Sequence, residues 1–333
     1  LAIPAEKETH SRARTYVQQL GAGRGIDFET GKELNVQPNG FIALFNGRDL
    51  TGWKGLAGKG GNPYERQKLS IQEFNIEQVR ADSVMNSHWR VENGVLVFDG
   101  HGSHLCTQKE FRNFEMLVDW KIGPGGDSGI YLRGSPQVQI WDPDSPDPDR
   151  SGNAKGSGGL WNNSAGAPGK DPLMAADRAP GEWNHFRILM VGDRVSVWLN
   201  DQFIVDYATL ENYYDRKLSP EMRHPIPKKG PIQLQTHGGG VDWRNLYIRE
   251  IDHAEAERIH ARNTGIALVS ENEPSLSMKA IVDGTEPGWT ELGSADFTDV
   301  NGYEDTWVWR GDILHCTGQP IGVIRTKRTY TNF

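Results

Sequence analysis

The sequence predicts a mainly β protein built around an antiparallel sandwich, and three observations lead to this fold class. Short runs rich in β-branched and aromatic residues recur from about residue 40, each bounded by Gly, Asn, Asp or Pro. Glycine and proline number 39 and 18 among 333 residues, enough for the many turns that short strands need. Apolar and polar residues alternate within single runs, so that Val118, Trp120 and Ile122 share one face.

The elements follow in order along the chain. Residues 5–19 contain good helix formers at roughly helical spacing, and a Gly-rich stretch follows them, so residues 1–39 are predicted as a helix and linker. The sandwich is predicted over residues 40–252. Helices are expected near 72–86 and 253–262, and Asn200-Asp201 is expected to form a tight turn between two strands.

A shorter copy of the opening pattern closes the chain. The segment from Trp89 to Gly100 aligns with the segment from Trp307 to Gly318, and the second copy ends before the later strands. Residues 253–285 are therefore predicted as a connector and 286–333 as an incomplete second copy. A few strands without a second sheet bury too little surface to be stable alone. We expect either a continuation of the natural polypeptide or a partner that supplies the missing strands.

Composition narrows the class of function. The net charge is −8 and no long Lys/Arg run occurs, which argues against a nucleic-acid partner. No apolar stretch approaches the roughly 20 residues needed to span a bilayer. Two cysteines, Cys106 and Cys316, leave both a disulfide and the redox compartment open. The eleven tryptophans are predicted mostly as core residues, although their rings also suit stacking on sugars.

Several short motifs occur in a fixed order. They are Phe45–Trp53, Trp89–Gly94, Asp127–Arg133, Val138–Asp142, Gly158–Trp161, Gly181–Asn184, Val197–Asp201 and His237–Asn245. In this order the chain resembles the 3-keto-disaccharide hydrolase family over residues 40–252. Asp127 departs from the family pattern, in which Asn is usual before Ser-Gly. The insertion 54–86 and the loop 143–150 are longer than the pattern predicts.

The resemblance implies a concanavalin A-like jelly roll, export from a bacterial cell, and an enzyme that acts on 3-keto-glycosides or 3-keto-disaccharides. A ketone at C3 acidifies the C2 proton, so a base can remove it and the C1 substituent can leave by elimination. Water can then add back, which gives net hydrolysis. Such a site needs a base near C2 and a hydrogen-bonding or cationic group for the enolate oxygen.

The candidate catalytic residues are His237, Asp142 and Arg133. A histidine with an unperturbed pKa of about 6.5 accepts a proton near neutrality, and the glycines after His237 permit a turn at the edge of a cleft. A loop histidine bonded to backbone is the alternative interpretation. Arg133 and Asp142 fit either a substrate site or an ordinary surface ion pair.

Further residues are candidates for substrate binding. Gln137 and Gln139 project from one face of their predicted strand, with Trp141 or Trp161 available for stacking. A merely solvated sheet face stays open as the alternative. Further candidates are Asp119 and Lys121, which either reach the site or face water, and Arg244, which either binds oxygen or stacks on Trp243.

Metal binding and two further functions stay open. His101 and His104 have no adjacent third ligand, so no metal is predicted at this pair. A divalent ion such as calcium, held by Asp142, His237 or the carboxylates of loop 143–150, remains an alternative. A non-catalytic carbohydrate-binding sandwich and an interaction scaffold in a larger exported protein are the rival functions.

Overall fold

The computed structural model describes residues 25–27, 29–58, 61–134, 137–146, 152–237, 239–264, 292–300, 306–310, 313–316 and 323–329. Two compact units divide the chain, Leu1–Leu268 and Val269–Phe333. Their boundary falls inside the predicted connector 253–285. The helix predicted at 5–19 lies outside the described residues.

The first unit contains two antiparallel sheets. Its described strands are β1 (Ile42–Ala43), β2 (Trp53–Gly55), β3 (Trp89–Glu92), β4 (Val95–Phe98), β5 (Leu105–Thr107), β6 (Phe114–Ile122), β7 (Asp127–Tyr131), β8 (Gln137–Trp141), β9 (Asn184–Val191), β10 (Arg194–Leu199), β11 (Gln202–Thr209), β12 (Gln233–Leu234) and β13 (Val241–Glu250). The larger sheet has the order β11-β10-β9-β6-β13-β4-β3, with β1 also paired to β13. The smaller sheet has the order β2-β5-β12-β7-β8. The predicted jelly-roll sandwich is confirmed.

Tight turns with left-handed backbone connect neighbouring strands. Asn93 and Gly94 have φ values of 50° and 79° between β3 and β4. Asn200 and Asp201 have φ values of 50° and 66° between β10 and β11, at the turn that the sequence predicts. Two successive residues with positive φ give a turn whose twist matches that of a hairpin, and Asn, Asp and Gly tolerate this backbone best.

The core lies between the two sheets. Trp120 and Trp243 from the larger sheet, and Ile130, Val138 and Ile140 from the smaller one, belong to one cluster of buried side chains. The alternation predicted for β6 is therefore real. Its other face points away from the core, and so does the alternate set of residues on β7 and β8.

Three described helices surround the sandwich: α1 (Pro63–Gln67), α2 (Ile71–His88) and α3 (His253–Thr264). Ser70 and Glu73 form a reciprocal capping box that starts α2. This helix covers the edge strand β2, since Ala81 lies so close that a Cβ on Gly55 would be 2.1 Å from its carbonyl oxygen. Within the described residues, none of the helices is both long and apolar enough to cross a membrane.

The second unit contains two described strand pairs. β14 (Phe297–Asp299) pairs with β17 (Ile324–Thr326), and β15 (Trp307–Arg310) pairs with β16 (Ile313–Cys316). All four strands are short, and both pairings are antiparallel. The idea that this region repeats the start of the sandwich stays a prediction.

Candidate active site

The outward face of the five-stranded sheet carries a row of polar side chains set by strand register. Gln137 on β8 lies opposite Tyr131 on β7, and Tyr131 lies opposite Gln233 on β12. Cys106 and Lys54 continue the row on β5 and β2. Since alternate residues of a strand share a face, the intervening apolar residues point into the core. We call this line of five residues the amide row.

Two shorter rows run beside the amide row. In the first, Gln139 lies opposite Gly129, whose carbonyl accepts the N–H of Gln235 at 2.8 Å. In the second, Trp141 lies opposite Asp127. The consecutive strands β7 and β8 and the distant strand β12 thus bring glutamine amides and one carboxylate together on a single surface.

Asp127 organises this surface through both oxygens of its carboxylate. Oδ2 lies 2.9 Å from Nδ1 of His237, and Oδ1 accepts the side-chain amide N–H of Gln139 at 2.8 Å. The Asp127 side chain is 8% exposed, whereas the His237 side chain is 65% exposed. The pair therefore links a buried carboxylate to an imidazole at the rim of the surface.

The orientation of the amides follows from this carboxylate. Because Oδ1 of Asp127 accepts, Gln139 must direct Nε2 toward it, and its Oε1 is left to accept from Nε2 of Gln137. Oε1 of Gln137 then has no donor among the described residues. It lies over Gly129, where an added Cβ would be 2.9 Å from this oxygen and 3.0 Å from Oε1 of Gln235. Only glycine leaves this space open.

Other buried amide atoms on this face also lack partners within the described parts of the chain. Gln233 is fully buried, and neither its Nε2 nor its Oε1 is hydrogen-bonded there; the same holds for Oε1 of Gln235. An unsatisfied buried polar group costs on the order of 1–3 kcal/mol. A ligand rich in hydroxyl groups, or ordered water, would satisfy these atoms.

The segment around α1 brings a cation to the same surface. Arg66 and Gln233 both approach Gly134. A Cβ added to this glycine would lie 3.2 Å from Nη2 of Arg66 and 2.8 Å from Nε2 of Gln233. Burial lowers the pKa of the Arg66 guanidinium and raises the pKa of Tyr214 to about 12. A cleft of about 280 Å³ opens here, lined by Lys54, Arg66 and Cys106 among others. It reaches the end of the amide row from solvent.

His104 lies beside this surface in a fixed orientation. Its Nδ1 accepts the backbone N–H of Thr236 at 3.1 Å and lies 2.9 Å from the Thr236 hydroxyl. The ring stacks on Tyr131, with centroids 5.5 Å apart and planes inclined by 27°. Burial, aided by the charges of His237 and Arg66, lowers the pKa of His104 to about 4. The imidazole is therefore neutral near pH 7.

Arg133 and Asp142, predicted as catalytic, make structural contacts. Arg133 has a left-handed backbone (φ 54°), and its guanidinium donates to the carbonyl of Pro227 at 3.2 Å. Burial lowers its pKa to about 10. The Asp142 carboxylate accepts the backbone N–H groups of Gly125 at 2.7 Å and of Asp144 at 2.9 Å. In the described residues neither side chain joins the Asp127 network, so their catalytic roles stay predictions.

Trp141 and Trp161 lie together at one end of the surface. Their rings are 4.8 Å apart in an edge-to-face arrangement. Trp141 is buried and donates from Nε1 to the carbonyl of Gly156 at 2.8 Å. Nζ of Lys170 lies 4.0 Å from the centre of the half-buried Trp161 ring. Trp161 is thus the more accessible of the two predicted stacking residues.

Asp119, Lys121 and Arg244, predicted to bind substrate, lie on the larger sheet and point away from the core. Asp119 pairs with His185 at 2.7 Å and with Arg244 at 3.3 Å, and Lys121 pairs with Asp242 at 3.0 Å. These residues alternate with core residues of β6 and β13, so they occupy the opposite outer surface from the amide row. Lys121 also lines a pocket with Gly126 and Gly239, near Asp127 and His237, and the substrate-binding roles of the three residues stay predictions.

Sequence reasoning missed part of the surface. Gln233 and Gln235 alternate with apolar neighbours in the same Gln-x-Gln pattern as Gln137 and Gln139, a signal that could have found them. Asp127 was noted only as a departure from a motif. His104 was weighed only as a metal ligand.

No metal site is evident in the part of the chain that the structure describes. There, no group of three or more His, Cys, Asp or Glu side chains is arranged to hold an ion. Residues 147–151, which include the second half of loop 143–150, lie outside the described residues. Calcium or another divalent ion stays an untested prediction.

Comparison with known proteins places the sandwich in a family. A family model described as the 3-keto-alpha-glucoside-1,2-lyase-like domain matches residues 40–249, more than half of the chain. The chain belongs to this family. The match covers every strand of the two sheets except the last residue of β13, so the lyase-like domain includes the whole amide row.

Individual relatives resemble the lyase-like domain more distantly. A 3-keto-disaccharide hydrolase from Bacteroides thetaiotaomicron is 24% identical over 261 residues, which are 66% of this chain and 81% of the relative. A crystal structure of a provisionally assigned glycosyl hydrolase from Parabacteroides distasonis is 25% identical, with a TM-score of 0.47, and the match covers 66% of this chain and all of that one. The laminarinase from Rhodothermus marinus is 11% identical, with a TM-score of 0.34; the match covers 65% of this chain and 95% of the laminarinase.

Proposed function

We propose that the lyase-like domain cleaves 3-keto-glycosides and that His237 removes the C2 proton. The contact between Asp127 and His237 beside the amide row carries this proposal. Because the carboxylate accepts from Nδ1, the basic lone pair of the neutral imidazole lies on Nε2. Asp127 also stabilises the imidazolium that forms when the base is protonated.

The chemistry balances without an added oxidant or reductant. Nε2 of His237 takes the proton from C2, and the electrons of that bond move toward C3 and its oxygen to give an enolate. When the enolate collapses, the C1–O bond breaks, and the departing oxygen gains a proton from the imidazolium or water. Addition of water across the resulting double bond, with hydroxyl at C1 and a proton at C2, gives the 3-keto sugar. The net reaction is hydrolysis.

The glutamine amides on the outward face of the smaller sheet support recognition of the sugar. Oε1 of Gln137 and Oε1 of Gln235 converge on the space over Gly129 and lack donors among the described residues. Sugar hydroxyls are donors of the right kind for such oxygens. A site built to bind hydroxyl groups also rejects analogues that lack them, because its buried polar atoms are then left unpaired.

The family and its relatives support this choice of substrate. The names of the matching domain and of the Bacteroides relative both refer to 3-keto sugars. A non-catalytic carbohydrate-binding sandwich is the rival, since it needs the amide row but no base. Export from a bacterial cell stays a prediction.

The test uses purified protein, a panel of 3-keto-glycosides and their unoxidised parents, and chromatographic detection of released product with and without a chelator. We expect cleavage of the keto compounds only. His237→Gln should lower kcat by about 10²- to 10⁴-fold, the usual contribution of a general base. His185→Gln is the matched control, because His185 also pairs with a carboxylate, 2.7 Å away, but on the other sheet.

Each outcome is informative. Loss of activity in both variants to the same degree would contradict a special role for His237. Glycan binding without turnover by the wild-type protein would overturn the enzyme and favour the binding module. A dependence on chelator would show that the site needs a metal ion.

A further inference from the structure

His104 carries a single hydrogen-bond donor beside the candidate active site. A backbone N–H can only donate, so Nδ1 of His104, which accepts from Thr236 at 3.1 Å, carries no proton. The neutral ring therefore has its proton on Nε2. Among the described residues no group accepts a hydrogen bond from this Nε2–H. The ring is half-buried, and its Nε2 atom is not fully buried.

The surroundings of His104 keep this tautomer in place. Tyr131 supports one side of the ring, and Thr236 holds Nδ1 with both its N–H and its hydroxyl. Burial and the positive charges of His237 and Arg66 all disfavour a second proton. A neutral imidazole is suited to donate to a carbonyl or enolate oxygen, since it does so without giving its proton away.

The position of His104 relates it to the proposed base. It precedes β5, and its partner Thr236 is the residue before His237. Because Thr236 contacts His104 and directly precedes His237, the two imidazoles lie close enough for their charges to interact. The two neutral imidazoles carry their proton on different nitrogens. Asp127 accepts from Nδ1 of His237, whereas Thr236 donates to Nδ1 of His104. One ring therefore offers a lone pair and the other a proton.

We propose that Nε2–H of His104 is a catalytic group that donates a hydrogen bond to the C3 oxygen of the substrate as this oxygen becomes an enolate. The inference rests on the proposed function, in which His237 removes the C2 proton. The hydrogen bond forms without transfer, so the Nε2 proton of His104 remains on the ring. Its energetic effect grows as negative charge develops on the oxygen.

Two substitutions separate this role from a structural one. In His104→Asn the Oδ1 atom can take the place of Nδ1 and accept from Thr236, but the distal donor is lost. In His104→Gln the side-chain amide can place a donor near the former Nε2, while the contact to Thr236 is lost. The first variant keeps the contact to Thr236 but lacks the donor, and the second keeps the donor but lacks the contact to Thr236.

The experiment measures kcat, KM and exchange of the C2 hydrogen with deuterated solvent for each protein. We expect His104→Asn to lower kcat and the exchange rate by about 100-fold, the effect of removing one oxyanion donor, with little change in KM. We expect His104→Gln to keep most of the wild-type rate. The reverse order would overturn the proposal and show that His104 only anchors the segment before His237.

A spectroscopic readout covers the case in which a variant folds poorly or loses all turnover. The 3-keto substrate is bound to His237→Ala, which holds it uncleaved, and the infrared stretch of its carbonyl is compared with that in the His237→Ala, His104→Asn double variant. We expect a lower frequency when His104 is present; equal frequencies would refute the contact. If wild-type protein cleaves keto substrates but shows no effect of His104→Asn, only this inference fails. If the wild-type protein cleaves no keto substrate, the proposed function itself is wrong.

Discussion

Asp127 lies with one carboxylate oxygen 2.9 Å from Nδ1 of His237, and its other oxygen fixes the orientation of the neighbouring glutamine amides. One buried carboxylate thus sets both the tautomer of the proposed base and the orientation of the Gln139 and Gln137 amides. Replacing it with an amide would disturb both functions, because an asparagine can donate as well as accept.

Asn is usual at this position in the family, so a dependence on the carboxylate would be particular to this chain: Asp127→Asn should lower kcat on 3-keto-glycosides by about 10²- to 10⁴-fold while the protein stays folded. The reason is that the amide can donate to Nδ1, which would move the histidine proton to Nε2 and remove the base. Steady-state kinetics would measure the loss, and circular dichroism would check the fold. Asp119→Asn serves as control, since Asp119 pairs with His185 on the larger sheet. Equal losses in the two variants would contradict the role of Asp127.

Gly129→Ala should weaken substrate binding without removing any catalytic group. The new methyl would occupy the space where Oε1 of Gln137 and Oε1 of Gln235 converge, 2.9 and 3.0 Å away. The amide tips can shift, so we expect little loss of stability and a rise in KM of about 10-fold, as expected when a hydroxyl loses its partner.

Gly123→Ala is the matched control for this change. A Cβ at Gly123 would meet no atom within 4 Å, and this glycine does not have a positive φ. Both variants gain the same methyl group, so only the position differs. Unchanged KM in Gly129→Ala would show that the space over Gly129 does not receive substrate.

Strand alternation made part of the site predictable from sequence. Gln137 and Gln139 were placed on one face because side chains alternate along a strand, and the structure has them on one face. The same rule cannot say which sheet a strand joins. Asp119 and Lys121 alternate just as clearly, yet they belong to the larger sheet and point outward on its far side.

The remaining site residues depend on long-range register, which local patterns do not contain. His104 and Thr236 meet across 132 positions, and Asp127 and His237 across 110. Arg133 shows a further limit, since its left-handed backbone removes it from the alternation of β7. Gly134, Ser135 and Pro136 indicate a turn there, but they do not indicate that Arg133 itself has a left-handed backbone.

Arg244→Met should destabilise the protein without changing the kinetics of the folded fraction. The Arg244 guanidinium lies 2.9 Å from Asp27 and 3.3 Å from Asp119, and all three side chains are nearly buried. Its removal takes the cation from Asp27 and leaves Asp119 with His185 alone, so we expect a loss below the about 3–5 kcal/mol that is typical of a fully buried pair. Urea unfolding would measure this loss. A change in KM of the fully folded variant would instead support the predicted substrate-binding role of Arg244.

His104 should make the stability of the protein depend on pH in a predictable direction. Its pKa is about 4 in the folded protein, chiefly because of burial, against about 6.5 when unfolded. As pH falls, His104 is therefore protonated in the unfolded chain before it is protonated in the folded protein. The free energy of unfolding decreases from about pH 6.5 down to about pH 4. Between about pH 8 and pH 5 the expected loss from this residue is about 2 kcal/mol.

The measurement compares urea unfolding of wild-type protein and His104→Asn across that range. Asp127, His237 and Arg66 are present in both proteins, so the difference between the two pH profiles isolates His104. We expect the wild-type free energy of unfolding to fall more steeply toward acid than that of the variant. Parallel profiles would mean that burial does not lower the pKa of His104 in the folded state, and the ring would then be partly protonated near neutrality.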